Sequence, residues 1–451
     1  MALTGIEIYK LLPKTNCKKC GFPTCLAFAM KVAAKAVDIS LCPDLSEEAK
    51  QALEAAARPP IRLVTVGAGE RKIEVGNEVV MFRHEKTFYH PPGLMVRVKD
   101  TAAPEEIGKI VEEVASYNVE RVGMQFEFDG FAIDNKSGDA AAFANCVELV
   151  KSKSGLPLVL MSNDPACMSA ALDKVAEGKP LIYAATKDNS DKMVELALKY
   201  GCPLAVCAAD GLNDLAELTE KVSQAGVEDI VIDPGASDFL PSLTALTQIR
   251  RLAIKKSFQP LGYPTITFPG EAAASAEEEA LLAGQQIAKY AGIIVLDHFS
   301  PAIALPLITL RLNIYTDPQK PIQMTPGVYQ IGEPIDTSPL CVTTNFSLTY
   351  FSIAGELESC ARPGAWLLVC DTEGLSVLTA WSAGKFDAEK IAKSVKQFDV
   401  AKNISHRSLI LPGGVAVLRG ELEEELPEWK IMVGPREAMA ISGYLKQHWT
   451  A

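Results

Sequence analysis

This sequence has no positive charge to spare. Against 56 aspartates and glutamates stand 44 lysines and arginines, a formal net charge of −12. No basic stripe with interleaved aromatics appears that would displace the counterions of a phosphate backbone, which excludes nucleic acid as a partner. A surface that docks basic proteins stays open. Long apolar runs are missing too: no stretch reaches the roughly 20 uninterrupted apolar residues of a membrane span. The opening MALTGIEIYKLL lacks the charged n-region and cleavage site of a secretory signal, so the expectation is a cytoplasmic protein with no membrane contact. At 451 residues the chain is too long for one ordinary core and should divide into two or three domains.

What the chain does have is cysteine. Eleven of them in a cytosolic protein do not make a disulfide framework, because cellular thiols keep them reduced; a cluster of them points instead to a metal site. Four fall within the first 42 residues, spaced Cys17-x2-Cys20-x4-Cys25-x16-Cys42 and followed at once by Pro43. A cubane cluster needs four converging thiolates, and a tight loop supplies three before the chain leaves and returns with the fourth. Gly21 and Pro23 let that loop turn sharply. The helix expected over LAFAMKVAAKAV begins at the third ligand and is apolar nearly all round, so it covers a cluster and keeps water off it. Zinc is the main rival, since four cysteines also form a structural zinc site. Zinc ribbons and treble clefs usually pair two Cys-x2-Cys knuckles, and only the first pair here has that spacing, which favours a [4Fe-4S] cluster. Lys14, Lys18 and Lys19 either offset the cluster's negative charge or form an ordinary solvated face. Cys146, Cys167, Cys202, Cys207, Cys341, Cys360 and Cys370 are scattered singly in apolar runs and read as small buried hydrophobes, with Cys370 set apart because it ends an expected strand.

The fold class reads as α/β in three parts. Residues 1–57 form a small cluster-bearing domain that ends in the alanine-rich helix SEEAKQALEAAA before Arg58-Pro59-Pro60, where proline stops the helix. Residues 58–315 begin with short alternating runs, a small antiparallel entry. Eight apolar strands then alternate with helical patterns: LMVRVKD, RVGMQFEF, LPLVLMSND, PLIYAAT, PLAVCAA, DIVIDPG, PTITFPG and GIIVLDHF. Continuous apolar strands joined by helical crossovers are parallel strands, here a closed (β/α)8 TIM barrel. Residues 316–339, rich in proline and polar side chains, read as a linker. Residues 340–451 carry the strands LCVTTNF, AWLLVCD, SLILP and WKIMVG with helices between them, a doubly wound, Rossmann-like α/β domain whose ligand should lie beyond the carboxyl ends of the strands.

Two segments, NCKKCGFPTCLAFAMKVA with Cys42-Pro43 and LPGGVAVLRGELEEELPEWKIMVGPREA, resemble the large (gamma) subunit of the corrinoid iron-sulfur protein of the acetyl-CoA synthase/carbon monoxide dehydrogenase system, and the likeness spans the whole chain. The resemblance implies a methyl carrier. In that family a corrinoid, held at the interface with a smaller barrel subunit in a heterodimer, accepts a methyl group from methyltetrahydrofolate delivered by a separate methyltransferase. It then passes the methyl to acetyl-CoA synthase. The cluster does not carry the methyl; it reduces inactive Co(II) cobalt to Co(I).

Many cobalamin proteins ligate cobalt by histidine in a DxHxxG loop, and that motif is absent. The five histidines are His84, His90, His298, His406 and His448; Asp297-His298 lacks the spacing, and His406 has Ile404 where the aspartate should be. A bound corrinoid should therefore lack a protein imidazole, which makes its cobalt easier to reduce by a nearby cluster. Its binding groups should follow the strands. The first set is Leu340, Thr343, Thr344, Asn345, Phe346 and Ser347, with hydroxyls and an amide for corrin side chains and a helix N-terminus. The second is Cys370, Asp371, Thr372, Glu373 and Gly374, where glycine permits close backbone approach. Gly413 and Gly414 open the next helix, and Val433, Gly434 and Arg436 lead into the last, with N–H groups and a guanidinium for a tail phosphate. The competing reading is that Ser347 only caps a helix, the Gly413-Gly414 pair only permits a turn and Arg436 only pairs with a surface acid.

Acidic and polar residues also mark the expected barrel strand ends: Asp100, Glu127, Asp129, Asn163, Asp164, Asp233, Asp297 and His298. Such positions are often catalytic. Two alternatives therefore stand beside the methyl carrier, a pterin-dependent methyltransferase using this barrel and a pure electron-transfer iron-sulfur protein. In the resembling family the barrel is a scaffold.

Overall fold

The computed structural model describes residues 5–33, 37, 39–46, 49, 59–121, 124–208, 210–317, 322–360 and 363–449. Nearly all of the helix expected over 46–57, together with Arg58 and residues 318–321 of the expected linker, lies outside them. The chain divides into two units, one of residues 1–117 and 127–315, the other of 118–126 and 316–451. Among the described residues no helix is long and apolar enough to cross a membrane.

In the first unit a parallel barrel is built from β3 (Gly93–Lys99), β6 (Gly130–Asp134), β7 (Leu158–Met161), β8 (Leu181–Ala185), β9 (Leu204–Cys207), β10 (Ile230–Asp233), β11 (Ile266–Thr267) and β12 (Ile293–Leu296). Neighbours run β10-β9-β8-β7-β6-β3-β12-β11, and a single bridge between Ile232 and Thr265 joins the two ends. These strands are buried on both faces, which is why they read as unbroken apolar runs. Their outer helices carry an apolar stripe: in Leu212–Gln224 the buried residues are Leu215, Ala216, Leu218, Thr219 and Val222. Side-chain caps from Asp139, Asp164 and Ser275 fix three helix starts.

One expected barrel strand is displaced. RVGMQFEF is not in the barrel; its residues form most of an antiparallel hairpin of β4 (Val119–Arg121) and β5 (Met124–Phe126), which groups with the second unit. The true second barrel strand is β6, every residue of which is buried. Glu120, Gln125 and Glu127 interrupt the hairpin with polar side chains that a strand covered on both faces does not tolerate, whereas Gly-Phe-Ala-Ile is apolar throughout. Glu127 and Asp129 therefore lie at the amino end of β6, not at a strand's carboxyl end. Asp129 there accepts from Leu94 N at 2.8 Å and pairs with Arg311.

The expected antiparallel entry is a hairpin of β1 (Val64–Val66) and β2 (Ile73–Val75). Its valines and isoleucine pack with Met95, Ala132, Val159, Leu181, Val231 and Ile293 of the barrel interior. Gly67 N donates to the Lys179 carbonyl just ahead of β8, so the hairpin plugs the amino end and leaves the carboxyl end as the mouth.

Arg97 occupies that mouth. Its side chain, only 4% exposed, pairs with Asp297 at 2.8 Å, Glu271 at 3.3 Å and Asp134 at 3.5 Å, and its guanidinium lies 5.1 Å from the Phe268 ring centroid. Removing one partner of such a network leaves carboxylates buried without compensation. Arg97→Ala is accordingly expected to lower stability by about 3–5 kcal/mol in urea unfolding; a loss below about 1 kcal/mol would show that solvent already screens the acids.

The second unit is a five-stranded sheet ordered β13-β15-β14-β16-β17, made of β13 (Gly327–Gly332), β14 (Leu340–Thr344), β15 (Gly364–Cys370), β16 (Ser408–Leu411) and β17 (Lys430–Val433). All are parallel except β13, which runs antiparallel to β15 from Gly327–Val369 to Gly332–Gly364. The expected linker 316–339 thus contains an edge strand. Proline and polar residues around GVYQIG hid it, and an edge strand, with one neighbour and one exposed side, needs no continuous apolar run. Alternate residues serve opposite faces. Leu340, Val342, Leu368, Leu409 and Leu411 pack with Ala380, Ile391, Val395 and Leu422, while Cys341, Leu367, Val369 and Ile410 pack with Leu357, Ile441 and Leu445. Helices therefore cover both faces, and the parallel strand order reverses between β14 and β16.

Candidate functional site

The cysteine loop is held by its own backbone geometry. Lys14, Asn16, Lys18 and Gly21 all adopt left-handed conformations, with φ of 57°, 48°, 63° and 83°. Three of these are not glycine and are costly there unless the surroundings fix them. Part of that fixing comes from Asn16, whose Oδ1 accepts from Cys25 N at 2.8 Å and so caps the helix Cys25–Ala33 at its first residue. Cys25 and Cys42 are buried with Ile8, Leu12, Phe28 and Ala29, Cys20 is partly buried against them, and Cys17 is exposed. Burial, chiefly, pushes the Cys42 thiol up, and the nearby Cys20, Cys25 and Cys17 add to the effect, so the four sulfurs share one neighbourhood. Lys19 reaches across from the loop to Asp44, two residues beyond Cys42, at 2.9 and 3.0 Å. Of the three loop lysines, this one is neutralised by its own partner. Among the described residues no three His, Cys, Asp or Glu side chains are drawn together to hold a single metal ion, so the thiols form a gathered set and not a closed cage. Their all-sulfur chemistry and apolar cover fit an iron-sulfur cluster.

In the second sheet the strand order reverses between β14 and β16, and the carboxyl ends of the strands there are where doubly wound sheets bind ligands. Asn345, 1% exposed, is the organising residue there. Its Nδ2 donates to Gln323 Oε1 at 3.1 Å and Asp371 Oδ1 at 3.2 Å. Its Oδ1 accepts from Thr372 N at 2.9 Å, Thr372 Oγ1 at 2.8 Å and Gly374 N at 3.0 Å. An amide with all its positions taken has nothing left for a ligand. Asn345 thus joins the loops after β14 and β15 and does not itself present a free binding group.

The other expected residues sort in the same way. Leu340 lies at the amino end of β14, wholly within the core, and Cys370 is buried with its thiol pushed up to about 12 by burial. Neither offers a side chain beyond the strand ends. Asp371 also accepts from Glu373 N at 3.1 Å, and Glu373 pairs with Lys385. Gly413 N donates to the Pro435 carbonyl at 3.0 Å and Gly434 N to the Leu411 carbonyl at 2.8 Å, so both glycines bring the loops after β16 and β17 together. A Cβ on Gly413 would collide with the Gly434 carbonyl. Phe346, Ser347, Gly414 and Val433 are partly exposed, and Arg436 is exposed, with no ion pair among the described residues. The hydroxyls of Thr343 and Thr344 are wholly buried at the end of the central strand without a hydrogen-bond partner, a costly state in a folded protein.

Sequence reading missed the apolar rim. Leu348 follows β14, Leu378 and Trp381 follow β15, Val417 follows β16 and Met439 follows β17, all exposed, Met439 by 83%. Large apolar side chains gathered at one end of a sheet mark a binding surface. Their common position after strand ends was the signal available in the sequence.

The unit's described histidines lie elsewhere. His406 precedes β16, its Nε2 2.9 Å from the Ser338 carbonyl and its Nδ1 accepting from Ser408 N at 3.1 Å, which makes it a neutral, fully bonded imidazole. His448 ends the last helix beside Tyr444.

At the barrel, the polar residues weighed as a catalytic alternative have structural partners. Asp100 accepts from Ser137 N and Oγ at 2.9 and 2.6 Å, and Asp164 caps its helix through Ala166 N at 2.8 Å. Asn163 has an exposed side chain, and its carbonyl accepts from Asn189 at 3.0 Å. Asp233 accepts from Tyr183 at 2.6 Å, and burial pushes its carboxyl up. Asp297 belongs to Arg97, and His298 Nδ1 is 2.8 Å from the buried Glu279.

A cysteine loop that fits a metal cluster, a parallel barrel and a doubly wound α/β unit define a modular α/β class of protein. A family model described as "CO dehydrogenase/acetyl-CoA synthase delta subunit" matches residues 63–445, and a second, for an Fe-S cluster, matches residues 12–43. The corrinoid/iron-sulfur protein large subunit of Moorella thermoacetica is 46% identical over 446 residues, covering 99% of each chain. The acetyl-CoA decarbonylase/synthase complex subunit gamma of Methanopyrus kandleri is 36% identical, covering 99% of this chain and 98% of its own. That of Methanothermobacter thermautotrophicus is 35% identical, covering 99% of each. The chain belongs to the family of corrinoid/iron-sulfur protein large, or gamma, subunits. The delta name of the barrel-spanning model describes a related subunit, whereas the end-to-end relatives are large or gamma subunits.

Proposed function

We propose that this chain carries a corrinoid in the acetyl-CoA pathway and reactivates it with its own [4Fe-4S] cluster. The observation that carries this reading is the strand-order reversal between β14 and β16, with the exposed Leu348, Leu378, Trp381, Val417 and Met439 in the segments that follow the parallel strands. A corrin ring has broad apolar faces and a fringe of amides, and both find counterparts there. A bound corrinoid would supply the methyl chemistry, between methyltetrahydrofolate with a separate methyltransferase on one side and acetyl-CoA synthase/carbon monoxide dehydrogenase on the other.

The chain's own part is to hold and to reduce. Phe346 and the exposed apolar side chains would face the macrocycle, Thr343 or Thr344 would offer a hydroxyl to a corrin amide, and Gly414 and Arg436 would take the nucleotide tail. Of the unit's described histidines, His406 directly precedes β16 and His448 ends the last helix, so neither stands in the loop directly after a parallel strand, and a bound corrinoid would be held without a protein imidazole. Cys17, Cys20, Cys25 and Cys42 hold the cluster, whose apolar cover keeps water away. The functional division is residues 1–57 for the cluster, the barrel of 58–117 and 127–315 for the scaffold, and the second unit, 118–126 and 316–451, for the corrinoid. A small barrel subunit completes the heterodimer in the cytoplasm. The scaffold role suits a mouth already filled by Arg97 and its acids.

The test uses the full chain with its small subunit, reconstituted with cobalamin and reduced. Adding methyl-labelled methyltetrahydrofolate and a methyltransferase should place label on the protein in proportion to its corrin content. Label uptake by corrin-free protein, or uptake abolished by Asn163→Ala, would favour a barrel methyltransferase instead. Corrin-free protein with a reducible cluster and no uptake under any condition would leave a pure electron-transfer protein.

A further inference from the structure

Gln323 lies near the start of the described part of the second unit's main segment, in the stretch that read as linker. Its backbone forms an isolated antiparallel bridge with Phe346, and the next residue, Met324, donates its N–H to the Asn345 carbonyl at 2.8 Å. Its Oε1 accepts from Asn345 Nδ2 at 3.1 Å. Its stem lies over Gly374, where φ is 75° and an added Cβ would come within 2.7 Å of Gln323 Cγ. One side chain thus touches the loop after β14 and the loop after β15.

The orientation of the Asn345 amide is what these contacts settle. Three donors converge on Oδ1, from Thr372 N, Thr372 Oγ1 and Gly374 N. Were the amide reversed, its NH2 would face three donors and nothing would hold the second loop. The correct sense is enforced from the other end, by acceptors placed against Nδ2, and these are Gln323 Oε1 and Asp371 Oδ1. Asp371 is itself on the loop being positioned and is exposed. Gln323 is the acceptor that comes from outside both loops.

We propose that Gln323 is a positioning residue that fixes Asn345, and through it the spacing of the two loops that hold the corrinoid, so that it sets how firmly the cofactor is retained. The inference rests on the corrinoid reading above. It gives the stretch before β13 of the second unit a direct hold on the loops after β14 and β15, which a passive tether would not have.

The test compares Gln323→Met, which keeps length and loses the acceptor, with Gln323→Glu, which keeps it. In the full chain without cofactor, hydrogen exchange at the Thr372 and Gly374 amides should quicken in Gln323→Met and stay at the wild-type rate in Gln323→Glu. With the small subunit present and cobalamin loaded, Gln323→Met should release corrin about tenfold faster, the scale of one hydrogen bond, while Gln323→Glu matches wild type. Unchanged exchange in Gln323→Met overturns the clamp, as does equal loss in both variants tracking a common fall in melting temperature. Quickened exchange in a protein whose wild type takes up no cobalamin keeps the clamp as geometry and overturns its role in retention, along with the corrinoid reading.

Discussion

Cys25→Ala is expected to abolish the low-potential electron paramagnetic resonance signal of the reduced protein while leaving its corrin absorption intact. Cys25 is buried among Ile8, Phe28 and Ala29, apolar side chains that cannot take the place of its sulfur, and its backbone N–H is held by Asn16. A cluster bound by three thiolates beside an apolar wall is left open to solvent and oxidant. The two functions separate because the proposed corrinoid site is built by residues 322–449, none of which the substitution touches. Methyl transfer started from chemically prepared Co(I) should proceed at the wild-type rate, and recovery from Co(II) should cease. If transfer from Co(I) is lost as well, the cluster does more than reactivate.

Asn345→Ala should have the largest effect on the second unit. It removes the acceptor of Thr372 N, Thr372 Oγ1 and Gly374 N in a site where Asn345 and Thr372 are each 1% exposed. Buried donors left unpaired cost about 1–3 kcal/mol each, less what water recovers by entering, so a loss of about 3–5 kcal/mol is expected. The unit's melting temperature should fall on the order of 10 °C and cobalamin uptake should fail. Asn345→Asp separates the roles. It keeps the acceptor but sets a carboxylate against Asp371 and gives nothing to Gln323, so it should fold better than Asn345→Ala and still hold corrin weakly. Normal uptake by Asn345→Ala would mean that the loops need no such clamp.

Much of this was legible in the sequence, for reasons that differ by element. The cysteine spacing is local, and ligands within 26 residues of one another declare themselves without knowledge of the fold. The strands β14 to β17 are apolar runs ended by turns, and seven of the eight barrel strands are of the same kind. The eighth was misplaced because RVGMQFEF has the length of a strand and lies directly before β6. That one shift carried Glu127 and Asp129 to the wrong end of the barrel and hid Asp134.

What stayed invisible depends on distant partners. Arg97 meets Glu271 across 174 positions and Gln323 meets Asn345 across 22, and nothing in the local pattern of either residue announces the meeting. Asn345 was expected to face a ligand, and its amide is instead fully used within the chain. A polar residue after a strand looks alike whether it faces a ligand or fastens two loops, and only its five hydrogen bonds tell the difference. Leu340 and Cys370 were carried along with their segments, although their side chains belong to the core.

The central claim is that one chain holds both a corrinoid and the cluster that repairs it. An anaerobic spectroscopic redox titration of the purified protein with its small subunit tests it most directly. The account predicts two chromophores, with the cluster reduced first or together with conversion of the Co(II) corrin spectrum to that of Co(I), and with that conversion lost in Cys25→Ala when electrons are supplied by a protein donor. A wild-type spectrum with a reducible cluster and no corrin, or a cobalt conversion indifferent to the loss of Cys25, would contradict it.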